Sequence, residues 1–163
     1  MFTIMSCDTG DNTSELITDF NESEANWEEL KSINGNSYSY QTTFSSWAGF
    51  GNMTELKIVD GVVNSRFYEE YEINETNGEK EVINTYLEEG TDLGSHEAGA
   101  EILTIDELYN TCLSDYLIVD SKNNVLYFET KLEGIMSLCG YVPEGCGDDC
   151  FSGIQINSFN WIE

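Results

Sequence analysis

The chain has 163 residues, with 31 acidic residues against 6 basic residues and one histidine, so its formal net charge is −25 at pH 7. Binding to a nucleic-acid backbone or an anionic membrane surface needs clusters of Lys and Arg, so this composition excludes both. The single histidine, His96, excludes zinc sites built on His pairs. Hydrophobic residues make up 40% of the chain, which is enough for one folded core.

The N-terminal residues resemble the end of a bacterial lipoprotein signal. In Ile4-Met5-Ser6-Cys7, an apolar and a small residue precede a cysteine, as they do where such proteins are lipidated. We therefore predict that residues 1–20 are a signal remnant and a polar tether, that Cys7 is lipidated, and that residues 21–163 form one domain. The alternative is an ordinary N-terminus with an incidental cysteine. No apolar run approaches the ~20 residues that a membrane span needs, so the lipid would be the only membrane contact.

The first half of the chain predicts a helix followed by strands. Apolar side chains recur at helical spacing over residues 22–34, and residues 37–44 alternate with the period of a half-buried strand. Asp60-Gly61 suits a type I′ turn, which predicts a hairpin over 55–67. The remaining elements predicted for this half are a strand and a loop, at 79–87 and 90–99.

The second half repeats this order. Thr104 and Glu107 form a capping box at the start of a helix whose apolar positions continue to Tyr116 and include Cys112. After this helix we predict a hairpin that pairs residues 116–119 with 125–130. An irregular loop over 133–152 and a last strand over 152–161 follow. Helices alternating with antiparallel hairpins indicate an α+β fold. We expect an antiparallel sheet with two helices packed on one face, in two related halves of helix plus strands.

Four cysteines remain when Cys7 is set aside. An even number in an exported chain indicates two disulfides, for which three pairings are open. The alternatives are free buried thiols and a zinc site that includes His96, although the chain has no CxxC pair. The disulfide candidates are Cys112, Cys139, Cys146 and Cys150.

Several short motifs together resemble a family of small exported bacterial lipoproteins whose function is unknown. The motifs follow the order of the family pattern W…YSY…V-x-DG-x-V…TIDELF…DD and span about residues 25–160. They are Trp27, Ser37-Tyr38-Ser39-Tyr40, Val59-Asp60-Gly61-Val62-Val63, Thr104-Ile105-Asp106-Glu107-Leu108-Tyr109, and Asp148-Asp149 with Ile154-Gln155-Ile156. The family has cysteines after its YSY strand, where this chain has Gln41–Trp47. The resemblance implies a small α+β envelope domain, similar in outline to secreted inhibitor-like and PepSY-like modules, with no known activity.

The sequence offers little for catalysis or metal binding. It contains no GxSxG elbow, no P-loop and no GxGxxG, and His96 falls in a polar loop where we expect it to be exposed. With so many acidic residues, a close pair of carboxylates carries no information, and the acidic run 69–92 is expected to be a solvated face. We therefore predict no enzyme and no cofactor. The best calcium candidates are Asp148 and Asp149 in the cysteine-rich loop.

Exposed aromatic residues are the best candidates for contact with a partner. Trp47 and Phe50 fall in a glycine-flanked loop where strand patterning does not require large apolar side chains. We predict a non-catalytic, lipid-anchored protein of the cell envelope that faces the periplasm or the exterior and binds a protein or peptide. The alternatives are a calcium-dependent structural or adhesive module and a hydrolase that uses two carboxylates.

Overall fold

The computed structural model describes residues 10–147 and 150–162. Two α-helices, a 3-10 turn, a π-helical turn and eight strands make up this part of the chain. The helices are α1 (Gly10–Asn34) and α2 (Ile105–Thr111), and the π-helical turn is Cys112–Tyr116. The strands are β1 (Tyr38–Ser45), β2 (Phe50–Val59), β3 (Val62–Ile73), β4 (Lys80–Glu89), β5 (Asn124–Glu129), β6 (Leu138–Pro143), β7 (Ser152–Gln155) and β8 (Ser158–Trp161). The strands pair antiparallel throughout, so the predicted α+β class is confirmed.

The larger sheet has five strands in the order β4-β3-β2-β1-β8. The predicted turn between β2 and β3 is confirmed, because Asp60 and Gly61 have φ values of 51° and 80°, as a type I′ turn requires. The alternation predicted for β1 is also confirmed near its start, where Tyr38 and Tyr40 are buried. This sheet therefore follows closely from local sequence patterns.

The prediction of a single sheet is wrong, because β5, β6 and β7 form a separate sheet in that order. Residues 116–119 are not a strand: Leu117 N donates to Cys112 O at 3.0 Å, which ends a π-helical turn. The strand predicted at 125–130 corresponds to β5, but its partner is β6, which lies inside the segment expected to be an irregular loop. The predicted last strand is divided between the sheets, since β7 pairs with β6 and β8 with β1.

The first helix begins earlier than predicted. Residues 10–20 belong to α1 rather than to a polar tether, so the helix crosses the expected boundary after residue 20. The reason is that the apolar face continues upstream of Trp27: Phe20 is only 1% exposed, and its ring contacts Tyr109 and Phe128. Residues 1–9, Cys7 among them, lie outside the described residues. No helix in the described part of the chain is both long and apolar enough to cross a membrane.

Both helices contact the start of β1. The ring of Trp27 meets Tyr38 edge-to-face at 5.0 Å and stacks on Trp161 of β8 at 5.6 Å. At the start of α2, Ile105 N donates to the hydroxyl of Tyr38 at 3.0 Å. The capping box that Thr104 and Glu107 were predicted to form is confirmed. These contacts centre the core on the junction of β1, β8 and the two helices.

Candidate functional site

The four candidate cysteines form two disulfides. Cys112 pairs with Cys139 and Cys146 with Cys150, with Cα atoms 5.8 Å and 6.3 Å apart. The prediction of two disulfides is thus confirmed in preference to free thiols or a zinc site. The first disulfide is fully buried and ties the end of α2 to β6. Asp148 and Asp149 lie outside the described residues, so their metal role stays a prediction.

The predicted contact residues lie at the end of the larger sheet. Trp47 is 81% exposed and belongs to the turn between β1 and β2, and Phe50 is half exposed at the start of β2. Phe44, at the end of β1, is half exposed as well, with its ring centre 6.2 Å from that of Phe50. The structure therefore places two exposed aromatic rings side by side and a third, that of Trp47, in the adjoining turn.

Beside these aromatic residues, a cavity of about 390 Å³ separates the two sheets. We call it the aromatic groove and define it by Thr42, Phe44, Leu103, Leu108, Phe151 and Gln155, which line it. Its walls come from β1 and β2 on one side, from α2 and the loop 99–103, and from the β7 segment on the other. The sole carboxylate among its described lining residues is Glu101. A mostly neutral, partly apolar concavity of this kind suits binding rather than proton transfer.

Two tyrosine phenols line the groove without becoming charged. Tyr40 lies at its base, where burial raises the pKa of the phenol, and its hydroxyl donates to Leu103 O at 2.6 Å. Burial also raises the pKa of Tyr116, another lining residue. Both hydroxyls therefore stay protonated at neutral pH.

A buried ion pair holds the loop that forms one wall of the groove. Arg66 of β3 is 4% exposed and Glu88 of β4 is fully buried, and two guanidinium nitrogens of Arg66 donate to the two oxygens of Glu88 at 2.9 and 3.0 Å. These hydrogen bonds outweigh the burial of Glu88, which acts in the opposite direction, and hold the pKa of its carboxyl well below its ordinary value.

Glu88 also binds the loop directly. It accepts hydrogen bonds from Gly94 N at 2.8 Å and His96 N at 2.7 Å, and its Oε1 lies 2.9 Å from His96 Nδ1. The ring of His96 stacks on Tyr86 at 4.0 Å. His96 is exposed, as expected for a loop residue, but it is tied to a buried carboxylate that the sequence analysis did not anticipate. We refer to Arg66, Glu88 and His96 as the clasp.

The clasp continues into the groove wall. Arg66 donates to His96 O at 2.7 Å and to Ala100 O at 2.9 Å, while Ala100 N donates to Thr54 Oγ1 at 3.0 Å. Gly99 passes so close to the sheet that a Cβ there would lie 3.0 Å from the hydroxyl of Tyr86, and its φ of +92° favours glycine. The wall is thus fixed by the same residues that neutralise the buried charges.

A second cavity, of about 400 Å³, lies beyond Phe50 and is acidic. Three exposed carboxylates line it, those of Glu72, Glu75 and Glu81, and Glu72 lies directly opposite Glu81 in the register of β3 and β4. No group of three or more His, Cys, Asp or Glu side chains has a metal-binding arrangement within residues 10–147 and 150–162. This cavity is therefore a region of negative surface charge, and its carboxylates are not arranged as a metal-binding site.

Comparison with known proteins found no match among family models, curated proteins or solved structures. The resemblance to an exported lipoprotein family accordingly stays a prediction.

Two features of the sequence could have located the groove and the clasp. No charged residue occurs between Lys31 and Glu55, or between Asp149 and Glu163, in a chain of which 23% is charged. These two stretches supply β1, β7 and β8. Arg66 is the chain's only arginine and lies near the end of the predicted hairpin, two residues before the apolar Tyr68, so the alternation of a strand places both on one face, where a charge needs a partner.

Proposed function

We propose that this protein is a non-catalytic, extracytoplasmic binding module and that the aromatic groove takes a segment of a protein or peptide partner. The observation that carries this proposal is the half-exposed ring of Phe44 on the wall of a preformed, nearly neutral cavity, with Phe50 beside it and Trp47 in the adjoining turn. Exposed aromatic side chains beside a concavity are the usual anchors of protein recognition. The net charge of −25 favours a basic partner, since opposite potentials speed association.

The engagement of the only histidine supports a role without catalysis. His96 Nδ1 faces Glu88, and the oxygens of Glu88 already accept hydrogen bonds from Arg66 and the loop backbone. This arrangement holds a loop and leaves Glu88 no accessible oxygen for chemistry, since its side chain is fully buried. The aromatic groove itself offers the single described carboxylate of Glu101.

Two disulfides support a location in an oxidising compartment, outside the cytoplasm. We further propose attachment to the membrane through a lipid on Cys7. Mass spectrometry of the protein produced in a bacterium from its full-length gene tests this attachment: a diacylglyceryl mass on Cys7 is expected, and an unmodified Cys7 contradicts it. The groove proposal does not depend on the result.

A peptide selection tests the groove proposal. Random 12-residue peptides displayed on phage are selected against the folded chain, and the affinity of an enriched synthetic peptide is measured by fluorescence anisotropy. Phe44→Ala should weaken binding about tenfold or more, as expected for an aromatic anchor. Ile33→Ala is the matched control, because Ile33 is 70% exposed at the end of α1 and does not line the groove. A selection that yields no peptide, or only peptides indifferent to Phe44→Ala, contradicts the proposal.

A further inference from the structure

The two strands that flank the aromatic groove diverge at Asn157. Asn157 N donates to Gln41 O at 2.8 Å, and Asn157 Oδ1 accepts from Thr43 N at 2.7 Å. Beyond this point β1 continues to Ser45, whereas β8 pairs with it only as far as Gln41. The chain upstream of Asn157 turns away as β7 and pairs with β6. The groove is therefore the gap between two strands that have separated.

The backbone of β1 presents a free edge to this gap. Gln41 O and Ser37 O both accept hydrogen bonds from the β8 segment, so odd-numbered residues of β1 direct their backbone groups to that side. Ser46 N donates to Phe50 O, which shows that even-numbered residues direct theirs to β2. By this alternation, the carbonyl of Thr43 and both backbone groups of Ser45 point away from β2, on the side where β8 no longer runs beside β1, and none of the described strands pairs with them there.

The edge of β7 faces the same gap. Ile156 N donates to Ser137 O on the β6 side, while Asn157 N donates to the opposite side. Gly153 and Gln155 precede Asn157 by an even number of residues, so their backbone groups point away from β6, to the side on which Asn157 meets β1. Residues from both edges, Thr43 and Gly153 among them, line the groove together.

These edges lack the usual protection against strand pairing. Sheet edges are commonly shielded by charged side chains or proline, and β4, one of the two edge strands of the larger sheet, carries charged residues at both ends. The segments Thr42–Ser45 and Ser152–Gln155 contain neither a charge nor a proline. An unprotected edge beside exposed aromatic residues matches the sites where an extended peptide adds to a sheet.

We propose that the aromatic groove accepts an extended segment of another protein, which adds as an antiparallel strand to the free edge of β1 at Thr43 and Ser45, in line with β8. This proposal rests on the proposed function and specifies how the partner binds. The segment would be uncharged where it faces the groove and would carry Lys or Arg on its flanks, because the groove lining is nearly neutral while the chain has a net charge of −25. A second copy of this chain is disfavoured by the same charge.

The test uses the folded full chain and the peptide selected above. Each peptide residue is N-methylated in turn, which removes one backbone donor and leaves the protein unchanged. Methylation at alternate positions should weaken binding about tenfold or more, whereas the intervening positions should tolerate it. In the protein, Ser45→Pro removes the N–H that points into the gap and should weaken binding similarly, while Ser45→Ala, which keeps it, should not. A thermal melt of each variant checks that it is folded.

The outcomes separate this proposal from the function on which it rests. If Phe44→Ala weakens binding but no N-methylation and no Ser45 variant does, the groove binds side chains only, and strand addition is overturned. If Phe44→Ala has no effect either, the proposed function fails as well. If the free chain forms dimers in which the amide of Ser45 is protected from hydrogen exchange and dilution removes that protection, a second copy occupies the edge, and the proposal is overturned.

Discussion

The clasp and the aromatic groove share a loop, but the polar groups of the clasp are hydrogen-bonded within the protein, whereas backbone groups at the groove pair with none of the described strands. In the clasp, a fully buried carboxylate accepts hydrogen bonds from Arg66, Gly94 and His96. In the groove, exposed aromatic rings lie beside the unpaired backbone edge of Ser45. The comparison teaches that the buried Glu88, whose pKa is strongly lowered, serves to hold a loop, whereas the backbone groups with which no described strand pairs mark the candidate binding site.

The largest expected effect is on the clasp. Arg66→Met leaves the buried carboxylate of Glu88 without its counter-charge, so we expect a loss of about 3–5 kcal/mol in the free energy of unfolding. Urea denaturation followed by tryptophan fluorescence measures it. The control is the double variant Arg66→Met with Glu88→Leu, which removes both charges and should recover most of the loss. A single variant as stable as the wild type would show that the ion pair does not organise this region.

The buried disulfide should rank next, because it joins α2, at the base of the groove, to β6. The separation of 27 residues between Cys112 and Cys139 corresponds to a stabilisation of about 3.5 kcal/mol by restriction of the unfolded chain. The Cys146–Cys150 pair, separated by 4 residues, corresponds to about 2 kcal/mol. Urea denaturation of the two double Cys→Ala variants compares them, and equal losses would contradict this ranking.

Acid should weaken the clasp. The pKa of Glu88 is lower in the folded chain than in the unfolded chain, so the unfolded chain takes up this proton first as the pH falls. The stabilisation by Glu88 is therefore complete above about pH 5 and decreases below about pH 4. Denaturation midpoints measured from about pH 5 down to about pH 3 should fall more steeply for the wild type than for Glu88→Gln. The difference isolates Glu88, because relief of the general negative repulsion is common to both proteins.

A smaller effect is expected where the two regions meet. Gly99→Ala places a methyl group against Tyr86 and Thr54 in a backbone conformation with φ of +92°. We expect a loss of about 1–2 kcal/mol in stability. Since Gly99 lines the groove, affinity for the selected peptide should fall as well. If the variant is destabilised but its affinity for the peptide is unchanged, the loop held by the clasp does not determine binding in the groove.

The smallest effect on stability is expected in the turn between β1 and β2. Trp47→Ala should change the free energy of unfolding by less than about 0.5 kcal/mol, because the side chain is 81% exposed. Chemical denaturation checks this value. A loss comparable to that of Arg66→Met would mean that Trp47 serves the core rather than a partner.

Local patterns predicted those parts of the fold that depend on neighbouring residues. The turn at Asp60-Gly61, the capping box at Thr104 and the alternation of β1 each follow from a few adjacent positions. The pairing of β6 did not follow, because a short apolar run does not reveal which strand it joins. The division of the last strand at Asn157 was equally hidden, since its two halves share one alternating pattern.

The candidate site was predictable only in part. Trp47 and Phe50 were identified from their loop, but Phe44 appeared to be one more inward position of a strand. The free edge at Ser45 arises because β8 ends its pairing at Gln41, a property of tertiary structure alone. The partner of Arg66 lay on the next strand, beyond the reach of local periodicity.

Hydrogen exchange measured by mass spectrometry, on the full chain with and without the selected peptide, tests the central claim most directly. If a partner segment pairs with the edge of β1, the amide of Ser45 should become protected, together with amides of the groove walls in loop 99–103 and β7. Amides of the clasp strands near Arg66 and Glu88 should change little, since they are already paired with each other. Protection confined to other surfaces, with Ser45 unchanged, would contradict the account.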